Sequence, residues 1–391
     1  MTKRRPVVVD LFCGAGGESQ GIHWAAEEFG VDVDMYAVNH WERAIETHSL
    51  NFPRDNAICK DILDLDPLRV VPRRDVDLLW ASPACTHFSV ARGGKPMDEQ
   101  SRVTPFTVLD WLEKLDVKRV IIENVPEFRS WGPLDDDKRP VKERKGDTFD
   151  AYIAMMRSLG YQVEWAVLNA ADFGAPTTRR RIFIQAVKTG CGKRIEWPTP
   201  THAKVTEGGL FSGTMLPWVP AKDVIDWTIP TEPIHMRKKP LSQNTMKRIE
   251  TGIRKYWGRA AEPFLVRYNG GENRCHSIHE PVPTLDTSNR YGLVEPLIME
   301  YYGNGQCRPV SVPLGTLTTK ERFALVEGGA VGLGLRMIQP HEMQLAQSLP
   351  KTYRFAGNKP ETVKQIGNMV CPKMALALVK AGSGIFGTVA A

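Results

Sequence analysis

The amino-acid sequence predicts an α/β protein: a doubly wound, mostly parallel sheet joined to a smaller, β-rich unit. Three observations carry this. Strand-like and helix-like patterns alternate through the first half of the 391-residue chain. Near residue 190, Pro and Gly become frequent and the periodicity weakens. Helical spacing then returns toward the end, in "TVKQIGNMVCPKMALALVKA". Repeated β-α units imply parallel strands with helices on both faces. In such sheets, ligands bind outside the carboxyl ends of the strands. The expected organisation is a Rossmann-like unit over 1–189, a β-rich unit over 190–330, and a segment over 331–391 that returns to the first unit.

The elements follow in order. Residues 7–12 are a β-branched run of buried-strand length. Residues 18–29 read as a helix and 33–39 as a second strand. Residues 76–81 are a strand, 106–115 a helix and 120–125 a strand. Residues 149–159 are helical, with Phe149, Ile153 and Met156 on one face and Gly160 as the stop. Residues 161–168 and 181–187 close the series as strands. Past the Pro/Gly-rich stretch, Pro240-Leu-Ser242 opens a helix with Met246, Ile249, Ile253 and Trp257 on one stripe. Between Arg237 and Arg259 stand eight Lys or Arg residues and one acid, Glu250. Such a run is usually a solvated face, and here it also suits a polyanion partner.

An internal repeat follows. "CHSIHEPVPTLDTSNRYGLVE" from Cys275 aligns with "CRPVSVPLGTLTTKERFALVE" from Cys307, offset by 32 residues. Two copies are too few for a solenoid and imply two similar β-rich units. Thr287, Arg290, Thr319 and Arg322 could face a nucleic acid, or could simply end turns and strands. In the last segment, Ile366, Val370, Met374 and Leu378 keep helical spacing, interrupted by Gly367-Asn368 and Pro372.

Composition excludes several classes. No apolar run approaches the length of a membrane span. The N-terminal apolar run is too short for a signal peptide, so a cytoplasmic protein is expected. The seven cysteines are scattered without a C-x-x-C pair, which suggests neither a disulfide framework nor a zinc ribbon. The spacing of Cys275, His276, His279 and Cys307 fits no zinc pattern, and no metal is expected. The net charge of +6 is mild.

Several short stretches carry chemistry. "DLFCGAGG", Asp10 to Gly17, ends a strand and opens a helix, and its small residues allow a ligand to approach a positive helix end. Its spacing is not G-x-G-x-x-G, which weakens a dinucleotide reading. Asn39 and His40 end the second strand, where a group that grips ribose usually sits. Asp61 follows in "CKDILDL". Cys85 in "SPACTHFS" follows a strand directly; a thiol there needs help to become a nucleophile. Glu123 closes the apolar strand in "VIIENVPEF", where poor solvation suits a proton donor. Arg179 and Arg181 in "PTTRRRIFI" alternate along a strand and share a face.

Taken together, these motifs resemble those of the cytosine carbon-5 DNA methyltransferases, in that family's order and over nearly the whole chain. "DLFCGAGGESQG" resembles the S-adenosylmethionine-binding motif, and "SPACTHFS" the P-C-Q-x-F-S loop. "ENVPEF" resembles the E-N-V motif and "TTRRR" the Q-x-R-x-R motif. "LRMIQPHEMQLAQSLP" resembles the R-x-L-T-P-R-E segment, and "QIGNMV" the G-N-x-V cofactor motif. The resemblance implies a class I methyltransferase fold with a target-recognition domain at 190–330. It implies Cys85 as nucleophile, Glu123 on the base ring nitrogen and amine, Arg181 on the base carbonyl, and Arg179 beside the nucleophile. For S-adenosylmethionine, with S-adenosylhomocysteine as product, it implies Asp10, Phe12, Gly14, Gly16, Asn39, His40, Asp61, Ile62, Asn368 and Val370. For double-stranded DNA, Ser89, Arg92, Lys247, Arg248, Arg254 and Lys255 join the four repeat residues above. A bacterial or phage monomer, with a cognate restriction endonuclease as a partner, is the setting it suggests.

The sequence departs from the family pattern at Ala84 and Thr86 around the nucleophile, at Asn39 in place of an acid, at His40 in place of an aromatic, and at Thr177 in place of Gln. Other readings are a tRNA-directed member of the superfamily, a non-catalytic DNA-binding relative, and a nicotinamide dehydrogenase. The long basic stretch argues against the first, the joint presence of Cys85, Glu123, Arg179 and Arg181 against the second, and the glycine spacing against the third.

Overall fold

The computed structural model describes residues 4–83, 100–136, 139–204, 215–234, 237–256, 262–268, 274–300, 307–309, 323–325, 333–382 and 386. The side chains of 100–103, 248, 252, 255–256, 295–300, 307–309, 323–325 and 333 are not described. In chain order the first unit runs β1 (Val7–Leu11), α1 (Gly17–Glu28), β2 (Asp34–Asn39), α2 (Glu42–Asn51), β3 (Asn56–Cys59), β4 (Leu78–Ala81), α3 (Gln100–Lys114), β5 (Arg119–Asn124), α4 (Asp147–Ser158), β6 (Tyr161–Asn169) and β7 (Arg180–Lys188). Among the described residues these strands form one sheet in the order β3-β2-β1-β4-β5-β7-β6. The five strands from β3 to β5 are parallel, and β7 runs antiparallel to both β5 and β6.

Every residue of β1, β4 and β5 is buried, as expected for strands covered on both faces. Alternation divides them between two cores. Val7, Val9, Leu79, Val120 and Ile122 pack with Trp111, Phe149 and Tyr152 on one face. Val8, Leu78, Trp80, Ile121 and Phe183 pack with Ile22, Ala25, Met374 and Leu378 on the other. Gly160 stops α4 with φ 86°, which a residue with a Cβ rarely adopts.

Register decides where chemistry can sit. Leu11 pairs with Val38 and with Ala81, and Ala81 pairs with Ile122. The residues that come next, Phe12, Asn39, Ser82 and Glu123, therefore share one edge. Because β7 is antiparallel, its first residues reach that edge as well: Glu123 pairs with Phe183 and Asn124 with Ile182.

The second sheet comprises β8 (Glu232–Pro233), β9 (Phe264–Arg267), β10 (Cys275–Ser277), β11 (Tyr291–Glu300), β12 (Cys307–Pro309), β13 (Phe323–Leu325) and β14 (Leu333–Met337). It is antiparallel throughout. The repeat has a structural counterpart. β10 and the start of β11 flank β9 at Leu265, and β12 and β13 flank the second half of β11 at Ile298. The helix expected after Pro240 is α5 (Gln243–Tyr256). Its Met246, Ile249 and Ile253 pack on Phe264 and Val266; Trp257 lies outside the described residues.

The last segment forms α6 (Pro340–Ala346), α7 (Lys359–Asn368) and α8 (Pro372–Ala381). The single interrupted helix expected from Thr362 onward is thus two helices. An Asn358–Glu361 capping box starts α7 early, and Pro372 starts α8 afresh. α8 packs along α1 on the first sheet. Among the described residues, no helix is long and apolar enough to cross a membrane, and no His, Cys, Asp or Glu cluster could hold a metal.

Candidate active site

The glycine turn sets the first wall. After β1 the backbone has φ 62° at Phe12, 50° at Gly14 and 85° at Gly16, so the chain reverses sharply into α1. A Cβ on Gly16 would meet Phe52, His48 and Tyr353 within about 3 Å. On α1 itself, a Cβ on Gly17 would lie 2.2 Å from the Val370 carbonyl oxygen, and one on Gly21 2.4 Å from that of Pro372. These glycines let the Met369–Pro372 stretch lie against α1, which carries Asn368 and Met369 to the turn.

A buried polar chain underlies the turn. Ser19 Oγ donates to Asp10 Oδ2 at 2.5 Å, and His48 Nε2 lies 3.1 Å from Ser19 Oγ. Asp10 Oδ1 is buried without a hydrogen-bond partner. Burial pushes the Asp10 carboxyl up to about 8, against the lowering effect of Ser19. Burial pushes His48 down to about 4, although Asp55 opposes this. Tyr353 Oη donates to the Ala15 carbonyl and ties the last segment to the turn.

The second wall forms at the ends of β4, β5 and β7. Asn124 Nδ2 donates to the Pro83 carbonyl at 3.2 Å, and Asn124 Oδ1 accepts from Val125 N at 2.8 Å. Asn124 thereby fixes the backbone at the point where the chain leaves β4 toward Cys85. Arg181 Nε lies 2.9 Å from Glu123 Oε1, with both side chains largely buried. Arg179 directs Nη1 to the carbonyls of Leu285 at 3.2 Å and Gly367 at 3.0 Å. Burial, reinforced by the charge of Arg181, pushes its guanidinium down to about 9. The stretch before Arg179 is stitched to the repeat: Thr178 N donates to Val282 O, and Val282 N to Pro176 O. Arg179 therefore joins the first sheet, the repeat loop and α7.

A cavity of about 270 Å³ opens between these walls. Phe12 and Gly14 line it from the turn, Asn39 from the end of β2 and His40 just beyond it, Glu123, Arg179 and Arg181 from the far edge, and Asn368 from α7. Asp10 and Gly16 lie beneath rather than in the wall. Asp61, Ile62 and Val370 are not in the wall. Asp61 caps a short turn by accepting from Leu63 N, while Ile62 and Val370 are buried in the cores. Cys85, Ser89 and Arg92 lie outside the described residues, as do Thr319, Arg322 and the side chains of Arg248 and Lys255. Lys247 and Arg254 are exposed on α5, and Thr287 is exposed on the repeat loop. Arg290 is 3.1 Å from Asp286 in an ion pair. Among the wall residues that the sequence did not single out as site residues are Glu18, Trp41 and Lys364. Glu18 looks like an ordinary helix-start acid. Trp41 sits one position beyond the strand end. Lys364, held 4.4 Å over the Trp41 ring, reads as a solvated helix charge.

The mostly parallel sheet with its antiparallel β7, the glycine turn and the cavity across its edge make up a class I methyltransferase fold. Sequence comparison is more specific. The profile of the C-5 cytosine-specific DNA methylase family matches residues 7–383, and the chain belongs to that family. It is 28% identical over 259 residues to the type II methyltransferase M.AquIA of Picosynechococcus sp., covering 62% of this chain and 97% of that protein. It is 29% identical over 217 residues to the putative type II methyltransferase M.OihORF3336P of Oceanobacillus iheyensis, covering 51% of this chain and 44% of the relative. The chain thus spans less than half the length of that second relative. In fold it is similar to a putative DNA modification methyltransferase encoded within a prophage of E. coli, with a TM-score of 0.55, 19% identity, and 96% and 98% of the two chains covered.

Proposed function

We propose that this enzyme transfers a methyl group from S-adenosylmethionine to carbon 5 of a cytosine flipped out of duplex DNA. The observation that carries the reading is Glu123 with Arg181 in one cavity with the glycine turn, at the strand edge from which the chain proceeds to Cys85. The residues present suit the cofactor: a turn with three positive φ values admits backbone approach, and the unpartnered Asp10 Oδ1 leaves a buried polar atom beneath it. When bound, S-adenosylmethionine supplies an electrophilic methyl group. Phe12, Asn39, His40 and Asn368, all in the cavity wall, would hold it: Phe12 at the adenine, Asn39 and His40 at the ribose, and Asn368 from α7.

The chain's own residues do the rest. Flipping exposes both ring faces at a cost of a few kcal/mol, offset by pocket contacts. The Cys85 thiolate adds to carbon 6. Glu123 hydrogen-bonds the amine and stabilises the proton at N3, while Arg181 donates to the carbonyl. Carbon 5 becomes nucleophilic; it would take the methyl group as S-adenosylhomocysteine leaves, lose its proton to solvent, and expel Cys85 as the thiolate. Arg179, already committed to two carbonyls, acts as a positioning residue. The basic face of α5 and the repeat loop at Thr287 supply DNA contacts, in a target-recognition region over 190–330.

Incubation with methyl-labelled S-adenosylmethionine and mixed-sequence duplex DNA tests this. Label should appear as 5-methylcytosine. Cys85→Ala should abolish it, and Glu123→Gln should slow it by about 10²-fold or more. Equal transfer from Cys85→Ala, or transfer to RNA alone, would overturn the reading.

A further inference from the structure

The cavity holds a buried acid that the reaction above leaves unused. Glu18 stands in the first turn of α1 and lines the cavity. It is 2% exposed. A helix N-terminus favours a carboxylate, yet burial outweighs this and holds the Glu18 carboxyl well above the usual range.

The groups around it come from every wall. Asp10 lies beneath on β1, Cys13 on the turn, Ser82 beyond β4, Glu123 on β5, Arg179 before β7 and Tyr353 in the last segment. Trp80 Nε1 donates to Ser82 Oγ at 3.0 Å, which leaves the Ser82 hydroxyl proton for Glu18. Asp10 and Glu123 each disfavour a second negative charge there. The cations of the wall have other partners: Arg181 is paired with Glu123, Arg179 Nη1 with two carbonyls, and Lys364 lies over the Trp41 ring. Burial and two neighbouring acids disfavour the carboxylate form here, and a cation entering the cavity would favour it.

We propose that Glu18 is a charge-sensing, specificity-determining residue that distinguishes a sulfonium methyl donor from its neutral thioether product. The inference rests on the S-adenosylmethionine reading above. On binding, the Glu18 carboxyl releases its proton to solvent and the carboxylate faces the sulfonium. Once the methyl group has left, the sulfur is neutral, and Glu18 takes a proton back from solvent. Only the O–H bond of Glu18 is broken and remade. Donor and product share their adenosine and amino-acid parts, so the difference in their binding isolates this one charge. A single pKa unit of coupling corresponds to about tenfold in relative affinity.

Calorimetric titration of the full chain at pH 7, in two buffers of different ionisation enthalpy, tests this. S-adenosylmethionine should release more protons than S-adenosylhomocysteine. It should bind about tenfold tighter, and its advantage should grow as pH rises. Glu18→Gln should remove both the excess release and the preference. Equal proton release by the two ligands in the wild-type chain would overturn the proposal without needing any variant. So would an excess that survives in Glu18→Gln. Tight binding of both ligands without the excess defeats only the Glu18 inference. Binding of neither defeats the cofactor reading and the inference with it.

Discussion

Asp10 and His48 sit on either side of Ser19 and titrate in opposite senses. Asp10 ionises near pH 8 in the fold, against an ordinary 3.8, so the folded state keeps a proton that the unfolded chain releases. Its contribution to stability is complete below about pH 4 and is lost as pH rises toward 8, at no more than about 1.4 kcal/mol per unit. His48 ionises near pH 4 in the fold, against 6.5, so its contribution is lost as pH falls between those values. Melting midpoints from pH 5 to 9 should therefore decline on the alkaline side, and Asp10→Asn should decline less steeply; identical slopes would contradict the assignment. Legibility at this scale depended on position. Glu123, Asn39 and Phe12 were readable because each ends an apolar strand on the ligand-binding edge. Glu18 and Trp41 were not, because only the tertiary cavity separates them from ordinary surface residues. For Asp61, the sequence does not show that the carboxylate is occupied in capping its own turn.

At the scale of elements, α1 is defined by its missing side chains. Gly21 touches the Pro372 carbonyl and Ala375 Cβ, and an added Cβ would lie 2.4 and 2.6 Å from them. In an exposed helix, Gly→Ala stabilises by up to about 1 kcal/mol; here overpacking should dominate and destabilise by about 1–3 kcal/mol. The denaturation midpoint of Gly21→Ala decides between these signs, and a stabilised variant would refute the packing account. The sequence assigned the small residues of "DLFCGAGG" to the approach of a ligand; that Gly17 and Gly21 admit the Val370 and Pro372 carbonyls is a tertiary fact. The two arginines of "TTRRR" were legible as sharing a face, but not that an antiparallel β7 would bring them to the carboxyl edge of a parallel sheet. Nor was the two-residue strand β8, too short to carry a period. The repeat was visible as letters; that β11 ends one copy and is flanked by the next required the pairing.

For the whole molecule, the doubly wound sheet was legible because strand and helix periods alternate cleanly, and the structure has that fold. The second sheet was legible only as β-rich, because short strands separated by Gly and Pro leave their order open. The two sheets meet where Arg179 binds Leu285 and Gly367, so the sheet edge that bears Glu123 and the repeat loop are held in one place. Changing Lys247, Arg248, Arg254 and Lys255 together to Gln should weaken DNA binding and flatten its dependence on salt, by about 0.9 in log–log slope for each phosphate that is no longer neutralised. An unchanged slope would make α5 a scaffold alone. The central claim, however, is covalent attack by Cys85 on cytosine, and the most direct measurement is capture of that adduct. Duplex DNA carrying fluorine at carbon 5 of cytosine has no proton to lose after methyl transfer, so elimination stalls. With S-adenosylmethionine present, a denaturant-resistant protein–DNA complex should form, with the linkage mapping by mass spectrometry to Cys85. No complex, or a linkage at any other residue, would contradict the account.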